Sequence, residues 1–165
     1  MLLVTRSVIA GATLLLLLVQ PGSSQTGKGL GQSVKGAVFV DQKNGYFTMI
    51  PPSGWPRQTY DDTRTKVAWR SPQDTRVLLS VIAKQATESF SDMRAGADRT
   101  AQSWRSKGVS TEVSEGRVGD VPAVIIKANV PGAGISHLLL FLVQGIHFNV
   151  QFAAPDRELF DRHLP

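Results

Sequence analysis

The sequence predicts an α+β fold in which an antiparallel sheet carries one long helix packed on it. Two observations support this class. A single stretch, Ser89 to Lys107, has the apolar spacing of a long amphipathic helix. Apolar stretches with strand character lie on both sides of it and are joined by short turn sequences, which favours antiparallel neighbours. No internal repeat is visible in this order.

The chain divides into three parts. It has 165 residues, enough for one domain with a normal core. We expect a signal peptide over residues 1–24, a flexible leader over residues 25–33, and a single α+β domain over residues 34–165. The leader is rich in Gly, Ser, Thr and Lys, a composition typical of a linker.

The N-terminus has the pattern of a secretory signal peptide. Arg6 supplies a small positive region, Val8 to Val19 is almost entirely apolar, and Pro21 to Ser24 ends the helix with small residues. The apolar stretch is too short to cross a hydrocarbon core of about 30 Å comfortably, so a retained anchor is disfavoured. We expect cleavage near Ser24 and a protein that is periplasmic or extracellular.

Composition restricts the chemistry and the partners. The sequence contains no cysteine, so the exported domain has neither a disulfide nor a lipid anchor on cysteine. The net charge is +5 and the isoelectric point is about 9.9. The basic residues are scattered from Lys28 to Arg162 without a run, which indicates solubility rather than a nucleic-acid-binding stripe. We expect no nucleic-acid partner, while peripheral association with an anionic membrane surface stays open.

The N-terminal half of the domain predicts four strands. Asn44-Gly45 predicts the turn of a first hairpin, because both residue types tolerate positive φ. Pro51 and Pro52 end the second strand, since neither can donate a ladder hydrogen bond. The fourth strand is apolar at nearly every position, which predicts a central strand covered on both faces. The four strands are Val34 to Val40, Tyr46 to Ile50, Lys66 to Arg70, and Val77 to Ala83.

The long helix has predicted caps and one apolar stripe. Ser89 is a suitable N-cap, Asp92 suits the positive end of the helix, and Gly108 can adopt the left-handed conformation that ends it. We expect the stripe to pack on the sheet rather than to hold a cofactor. Its members are Phe90, Met93, Ala97, Ala101 and Trp104.

The C-terminal half predicts two further hairpins and a short final helix. Gly119-Asp120 joins the first pair of strands, and Gln144-Gly145 is a two-residue turn in the second pair. The last strand alternates apolar and polar residues, so one of its faces points to the core. The helix begins at Pro155. The strands are Val109 to Arg117, Val121 to Val130, Ser136 to Val143, and Ile146 to Ala153.

These elements resemble the PsbP-like family, whose fold is shared with the Ran-binding Mog protein. The resemblance begins with the Gly-aromatic-strand-Pro-x-x-Trp sequence from Gly45 to Trp55 and continues with a strand ending in Ser71-Pro72. An aliphatic strand and a long helix follow over Val77 to Lys107, and the last strand ends in aromatic-small-Pro at Phe152 to Pro155. The resemblance implies an α/β/α sandwich whose C-terminal helix is cut short at Pro165. It implies no shared chemistry, since the family includes extrinsic photosystem II subunits and exported bacterial proteins.

The residues predict no catalytic or nucleotide site. Nucleophilic catalysis needs a hydroxyl or thiol beside a base and an orienting acid. Ser136 and His137 are neighbours in a strand, so their side chains point to opposite faces. Gly22 to Lys28 imitates a phosphate loop, but Gly29 stands where a magnesium-binding Ser or Thr is required, and no strand precedes it. We therefore expect no cofactor.

The residues also predict no metal site. In the predicted hairpin His137 lies opposite Phe152 on the core side, whereas His147 lies opposite Leu142 on the other face, so they cannot share one ion. His163 lies in the terminal helix. Asp61-Asp62, Asp74 and Asp120 lie in predicted loops, without the spacing of a calcium-binding loop, and turn formation explains most of them.

These observations favour an exported, non-catalytic binding or assembly module that acts through a protein partner, at a membrane face. The first alternative is a small-ligand or metal-ion carrier of the envelope with a pocket between helix and sheet. A hydrolase without a recognisable motif is a distant alternative. A clustered acid, base and nucleophile in a deep pocket would favour the enzyme, whereas a flat exposed apolar patch would favour the binding module.

We predict that the exported protein begins within a few residues of Gln25, because the apolar stretch and the small residues after Pro21 form a cleavable signal. N-terminal sequencing of the mature protein measures this. An intact Met1 on a membrane-embedded product would contradict the prediction.

Overall fold

In the part of the chain that the structure describes, seven antiparallel strands form one sheet with a helix on each of its faces. The structure is a computed structural model and describes residues 39–40, 44–59 and 65–163. The elements in chain order are β1 (Phe39–Val40), β2 (Thr48–Met49), β3 (Arg57–Thr59), β4 (Thr65–Arg70), β5 (Leu78–Gln85), α1 (Phe90–Arg105), β6 (Ser110–Val118), β7 (Val121–Val130), β8 (Gly134–Val143), β9 (Ile146–Ala154) and α2 (Arg157–His163).

The strand order in the large sheet is β3-β4-β5-β9-β8-β7-β6, and each neighbouring pair is antiparallel. β1 and β2 form a separate two-stranded ribbon. The predicted α+β class is therefore confirmed. The bounds of the predicted strands from Tyr46 onward, and of the long helix, agree with the structure to within two residues at each end, and α2 begins two residues after the predicted start at Pro155.

The β8–β9 hairpin lies near the centre of the large sheet. Gln144 and Gly145 have φ angles of 51° and 75°, which matches the two positive φ angles of a type I′ turn. The predicted two-residue turn is thus confirmed. It places Phe141 opposite Phe148 and Leu139 opposite Val150, so these apolar residues of the two strands share one face.

That face carries the larger of two apolar cores. Phe148 stacks on Phe141 with ring centroids 5.0 Å apart and meets the edge of Phe47 at 6.0 Å. α2 contributes Phe160, whose ring lies 5.0 Å from that of Phe152. The segment around β2 and the helix α2 therefore both dock on β8 and β9. Further buried members of this core are Met49, Val67, Trp69, Val77, Leu79 and Val81.

α1 covers part of the opposite face. Ser89 and Asp92 form a reciprocal capping box, and Gly108 has a φ of 82° after the helix, as the sequence predicted. The predicted apolar stripe packs on the sheet: Met93, Ala97 and Ala101 are buried. Phe90 and Trp104 are partly buried against the same cluster, whose sheet residues are Val124, Ile126, Leu138 and Leu140.

The first hairpin differs from the prediction. Phe39 pairs with Met49 and Val40 with Thr48, so residues 41–47 connect the strands and Asn44-Gly45 does not form a two-residue turn. A two-residue turn would pair the residues on either side of Asn44-Gly45, whereas the register leaves seven residues between Val40 and Thr48. The predicted strand residues 34–38, the leader and the signal peptide lie outside the described residues.

Two further expectations need correction. β3 was not predicted, because Pro56 and the polar residues of Arg57–Thr59 carry no strand pattern. β5 is central, but among the described elements α1 packs over β6, β7 and β8 and not over β5. Leu78 and Ile82 of β5 are partly exposed on that face, while Ser80 between them is 7% exposed.

We predict that Met93→Ala lowers the free energy of unfolding by about 2–4 kcal/mol, because it empties a site that is 2% exposed beneath α1. Chemical denaturation measures this. Arg99→Ala, at an exposed position of the same helix, should change it by less than about 0.5 kcal/mol. Equal effects of the two substitutions would mean that α1 does not pack on the sheet by this stripe.

Candidate functional site

His137 lies on the face of the large core. It is half-buried, and its ring lies 4.4 Å from that of Phe160 in α2. Partial burial, followed by the positive charges of Lys127 and Arg157, holds the pKa of His137 below its ordinary value. The neutral imidazole is therefore the form that the fold favours, and it serves as a packing surface for α2.

His147 lies on the opposite face, beside the segment that leads into α1. Its Nδ1 is hydrogen-bonded to the carboxylate of Glu88. Its Nε2 is buried and has no hydrogen-bond partner. Burial lowers the pKa of His147, the charge of Lys84 adds to this effect, and the Glu88 carboxylate opposes it. The isolated nitrogen makes this pair the most unusual polar contact of the described residues.

The three histidines do not converge. The register places His137 opposite Phe152 and His147 opposite Leu142, so the predicted assignment to two faces is confirmed. The ring of His163 meets that of Trp55 at 5.6 Å, so His163 lies in an aromatic contact apart from the other two histidines. Within the described part of the chain, no group of three His, Asp or Glu side chains is arranged to hold a metal ion.

Ser136 is not placed for nucleophilic catalysis. Its hydroxyl oxygen accepts a hydrogen bond from the side-chain amide of Gln151 at 2.9 Å. An amide cannot act as the general base that a serine nucleophile needs. His137, the adjacent residue, points to the other face, since it packs on α2. The absence of a Ser–His dyad, predicted from the alternation of the strand, agrees with these positions.

The predicted loop carboxylates that the structure describes take part in turns. Asp74 accepts hydrogen bonds from the backbone and side chain of Arg76, at 2.9 and 3.0 Å. These bonds lower the pKa of Asp74 to about 2. Asp120 lies in the β6–β7 turn, where its carbonyl accepts a hydrogen bond from Arg117. Asp61 and Asp62 lie outside the described residues.

An open cleft of about 370 Å³ lies at one end of the sheet, between the β7–β8 turn and the start of α2. Its charged side chains have internal partners. Asp156 caps α2 by accepting from the Leu159 amide at 2.8 Å, and Arg157 lies 3.6 Å from Asp161. The cleft does not lie between α1 and the sheet, where a carrier pocket was expected. Its lining residues are Asn129, Val130, Gly132, Gly134, Ile135, Pro155, Asp156 and Arg157.

A broader candidate lies beside α1, where the sheet is incompletely covered. We call it the open sheet surface and define it by seven residues. Its centre consists of partly exposed side chains without charge around Ser80, which is 7% exposed, and each end carries a described cation. The register also places Lys66 of β4 on this face, opposite Ile82. The central residues are Leu78 and Ile82 of β5 with Asn149, Gln151 and Ala153 of β9, and the two cations are Arg70 and Lys84.

The register shows that these residues share the face of α1. Gln151 pairs with Leu138, and Asn149 pairs with Leu140, and both leucines pack under α1. From Leu78 to Lys84 the surface is roughly 20 Å long at about 3.3 Å per residue, and three strands make it about 10–15 Å wide. This is less than the roughly 800 Å² that each partner contributes to a standard protein interface. A docked protein would therefore also contact the flank of α1.

Sequence reasoning missed both the Glu88–His147 contact and the open sheet surface. Glu88 and His147 are 59 residues apart, and they meet because β5 pairs with β9, which places Lys84 opposite His147. The open surface depends on which strands α1 covers. A signal was present in the polar alternation of His147, Asn149 and Gln151, which indicated a face that is polar or covered by something polar.

The fold has a counterpart among solved structures. The solution structure of cyanobacterial PsbP (CyanoP) from Synechocystis sp. PCC 6803 aligns with a TM-score of 0.57. The alignment covers 82% of this chain and 89% of the other at 12% sequence identity. The fold is PsbP-like. This agrees with the resemblance seen in the sequence, and at this identity it concerns the fold alone.

No protein-family model matches the sequence, and no curated protein matches it. The PsbP-like fold therefore brings no assigned residue to this chain. The described helices include none with the length and apolar character needed to cross a membrane. The site must be argued from the contacts and charges above.

We predict that a chelator leaves the thermal melt of the purified mature protein unchanged. His137 and His147 lie on opposite faces and cannot bind one metal ion together, so no metal-binding free energy contributes to the stability of the fold. Elemental analysis should find no stoichiometric zinc or other transition metal. About one tightly held metal per chain, lost in the His137→Ala, His147→Ala double variant, would contradict both the prediction and the two-face assignment.

Proposed function

We propose that this chain is an exported, non-catalytic binding or assembly module that acts through a protein partner at a membrane face. The observation that carries the proposal is the open sheet surface: a partly exposed area around Leu78 and Ile82 on a sheet whose other face carries the large core on β5, β8 and β9. Such a surface is typical of docking rather than of catalysis, which needs a concave site.

The charges of this surface define the kind of partner that it fits. Arg70 donates to the side chain of Gln58 at 3.0 Å and to the carbonyl of Thr75 at 2.6 Å, so its guanidinium is held in place at one end. Lys84 is exposed at the other end. A partner with an apolar centre and carboxylates about 20 Å apart would complement this arrangement.

Two further observations support the proposal over its alternatives. The charged groups of the open cleft already have partners within the chain, which disfavours a small-ligand or metal carrier at that position. The sheet separates Ser136 from His137. On the face that Ser136 shares with His147, the register places Ser136 opposite Ala153, six residues along β9 from His147, or roughly 20 Å. This separation disfavours a hydrolase there. The net positive charge is consistent with action near an anionic membrane face, since basic residues are attracted to such surfaces.

We predict that a photo-crosslinking residue at position 82 captures one discrete protein in cells that export the chain, because Ile82 lies at the centre of the open sheet surface. The matched control is position 125. Ile125 is also a partly exposed isoleucine in a strand, but it lies on the opposite face, where its side chain packs against Gly116.

The crosslinked product should be detected by mass spectrometry of the envelope and secreted fractions. It should form at position 82, be absent at position 125, and weaken severalfold with Lys84→Gln, which removes a rim charge. Equal capture from both positions, or capture that is indifferent to Lys84→Gln, would contradict docking on this surface.

A further inference from the structure

The segment that leads into α1 is tied to the β8–β9 hairpin at two points. The Ala86 amide donates to the Gly145 carbonyl at 2.8 Å, and the Glu88 carboxylate bonds to Nδ1 of His147. Ser89 follows as the N-cap of α1, and Phe90 then packs on the apolar cluster beneath the helix. The position of the first helical turn on the sheet therefore depends on these two ties.

The second tie requires hydrogen on Nδ1, which both the neutral Nδ1–H tautomer and the protonated ring carry, so the two forms differ at Nε2. In the neutral ring with hydrogen on Nδ1, that N–H donates to Glu88, and Nε2 carries only a lone pair. Protonation adds an N–H at Nε2, which is buried and has no acceptor. A buried N–H without an acceptor has lost its hydrogen bond to water and forms none within the protein, which costs free energy. The closed arrangement thus resists the second proton.

We propose that His147 and Glu88 form a pH-sensitive latch, which holds the start of α1 on the sheet at neutral pH and releases it on acidification. The latch requires only the contacts of these residues, and it is independent of the function proposed above.

The charged groups around the imidazole have opposing effects. Glu88 in the connecting segment favours the protonated ring, while Lys84, paired with His147 across β5, disfavours it. Leu142, which faces it from β8, carries no charge. On α1 the first-turn carboxylate, Asp92, is engaged in the capping box. Burial is the largest influence, and it keeps the pKa of His147 below its ordinary value.

The sign of the pH dependence follows from this direction. When the latch opens, His147 meets water and regains its ordinary pKa of 6.5. The open form then binds the proton more readily than the closed form, so acidification below pH 6.5 favours opening. Stabilisation of the closed form is complete above this pH and is lost as the pH falls towards the lowered pKa. Between pH 7.5 and 5.5 the population of the open form rises by up to about tenfold.

Opening is confined to one end of the helix. Met93, Ala97 and Ala101 remain buried under α1 and hold the rest of it on β6, β7 and β8. Release of the first turn would uncover Phe90 and Leu142, which belong to the cluster beneath the helix. Acidification would therefore expose apolar side chains at the corner of the sheet without unfolding the domain.

Hydrogen exchange of the full mature protein tests the latch. Protection factors, which correct each rate for the intrinsic effect of pH, would be compared at pH 7.5 and 5.5. We expect protection over residues 86–93 to fall by up to about tenfold, whereas protection over residues 97–105 stays within twofold. Unchanged or increased protection over residues 86–93 at pH 5.5 would overturn the proposal.

Two variants separate the latch from a general effect of acid. His147→Asn keeps a side-chain N–H that can donate to Glu88 but cannot be protonated, so the change over residues 86–93 should disappear. His137→Asn removes the other half-buried imidazole, on the opposite face, and should leave that change as in the parent protein. A response that persists in His147→Asn, or disappears in His137→Asn, would overturn the proposal.

Nitrogen-15 spectra of the histidine rings in the unsubstituted protein give a second measurement, which does not depend on the folding of a variant. His147 should carry its hydrogen on Nδ1 at pH 7.5 and should titrate with a midpoint below 6.5. Hydrogen on Nε2 at pH 7.5, or a midpoint above 6.5, would overturn the proposal, since the ion pair would then strengthen the closed form on acidification.

Discussion

The register of the β8–β9 hairpin is the constraint on which the rest of the structure depends. The Gln144-Gly145 turn fixes it, and a slip of one residue would exchange the two faces of β9. Phe148 and Phe152 would leave the large core, where they contact Phe47, Phe141 and Phe160. The segment around β2 and the helix α2 would lose the aromatic rings on which they dock. The same register places the imidazoles of the hairpin on opposite sides of the sheet, so the core and the candidate site have one origin.

How much of this could be read from the sequence depended on the range of each interaction. The Gln144-Gly145 turn, the Ser89 cap and the helical stripe are local patterns, and the structure confirms them. The Asn44-Gly45 dipeptide misled because a turn type also depends on which strand residues pair. The open face of β5 could not be predicted, since it depends on the connection of α1 to β6 at the far edge of the sheet, which draws the helix over β6, β7 and β8. Glu88 and His147 meet only through the pairing of β5 with β9.

The two faces of the sheet differ in what covers them: one carries the large core, and the other carries α1 and the open sheet surface. One face carries the large core, to which β8, β9 and α2 contribute aromatic side chains, while α1 covers β6, β7 and β8 on the other face. A PsbP-like fold at 12% identity carries no chemistry with it. Function in this chain therefore depends on the side chains that its own sequence leaves accessible. The described cleft is lined by charges that have partners within the chain, whereas the open sheet surface offers partly exposed Leu78 and Ile82 with the exposed Lys84 at one end. This contrast favours recognition of a surface over recognition of a small ligand.

A histidine whose ring N–H donates a hydrogen bond to a carboxylate has the orientation that is common among metal ligands and catalytic bases. In His147 the remaining nitrogen is buried, so neither an ion nor a substrate can approach it without movement of the surrounding chain. The same burial makes the Glu88–His147 pair sensitive to pH. The protonated imidazole cannot be hydrated in the closed form, so protonation favours the open form, in which water reaches the ring. The Glu88 carboxylate opposes the lowering of the His147 pKa by burial, and the charge of Lys84 adds to that lowering. The orientation of the ring by Glu88 therefore argues for control of the position of α1, since the same contact that fixes the imidazole also fixes the start of the helix.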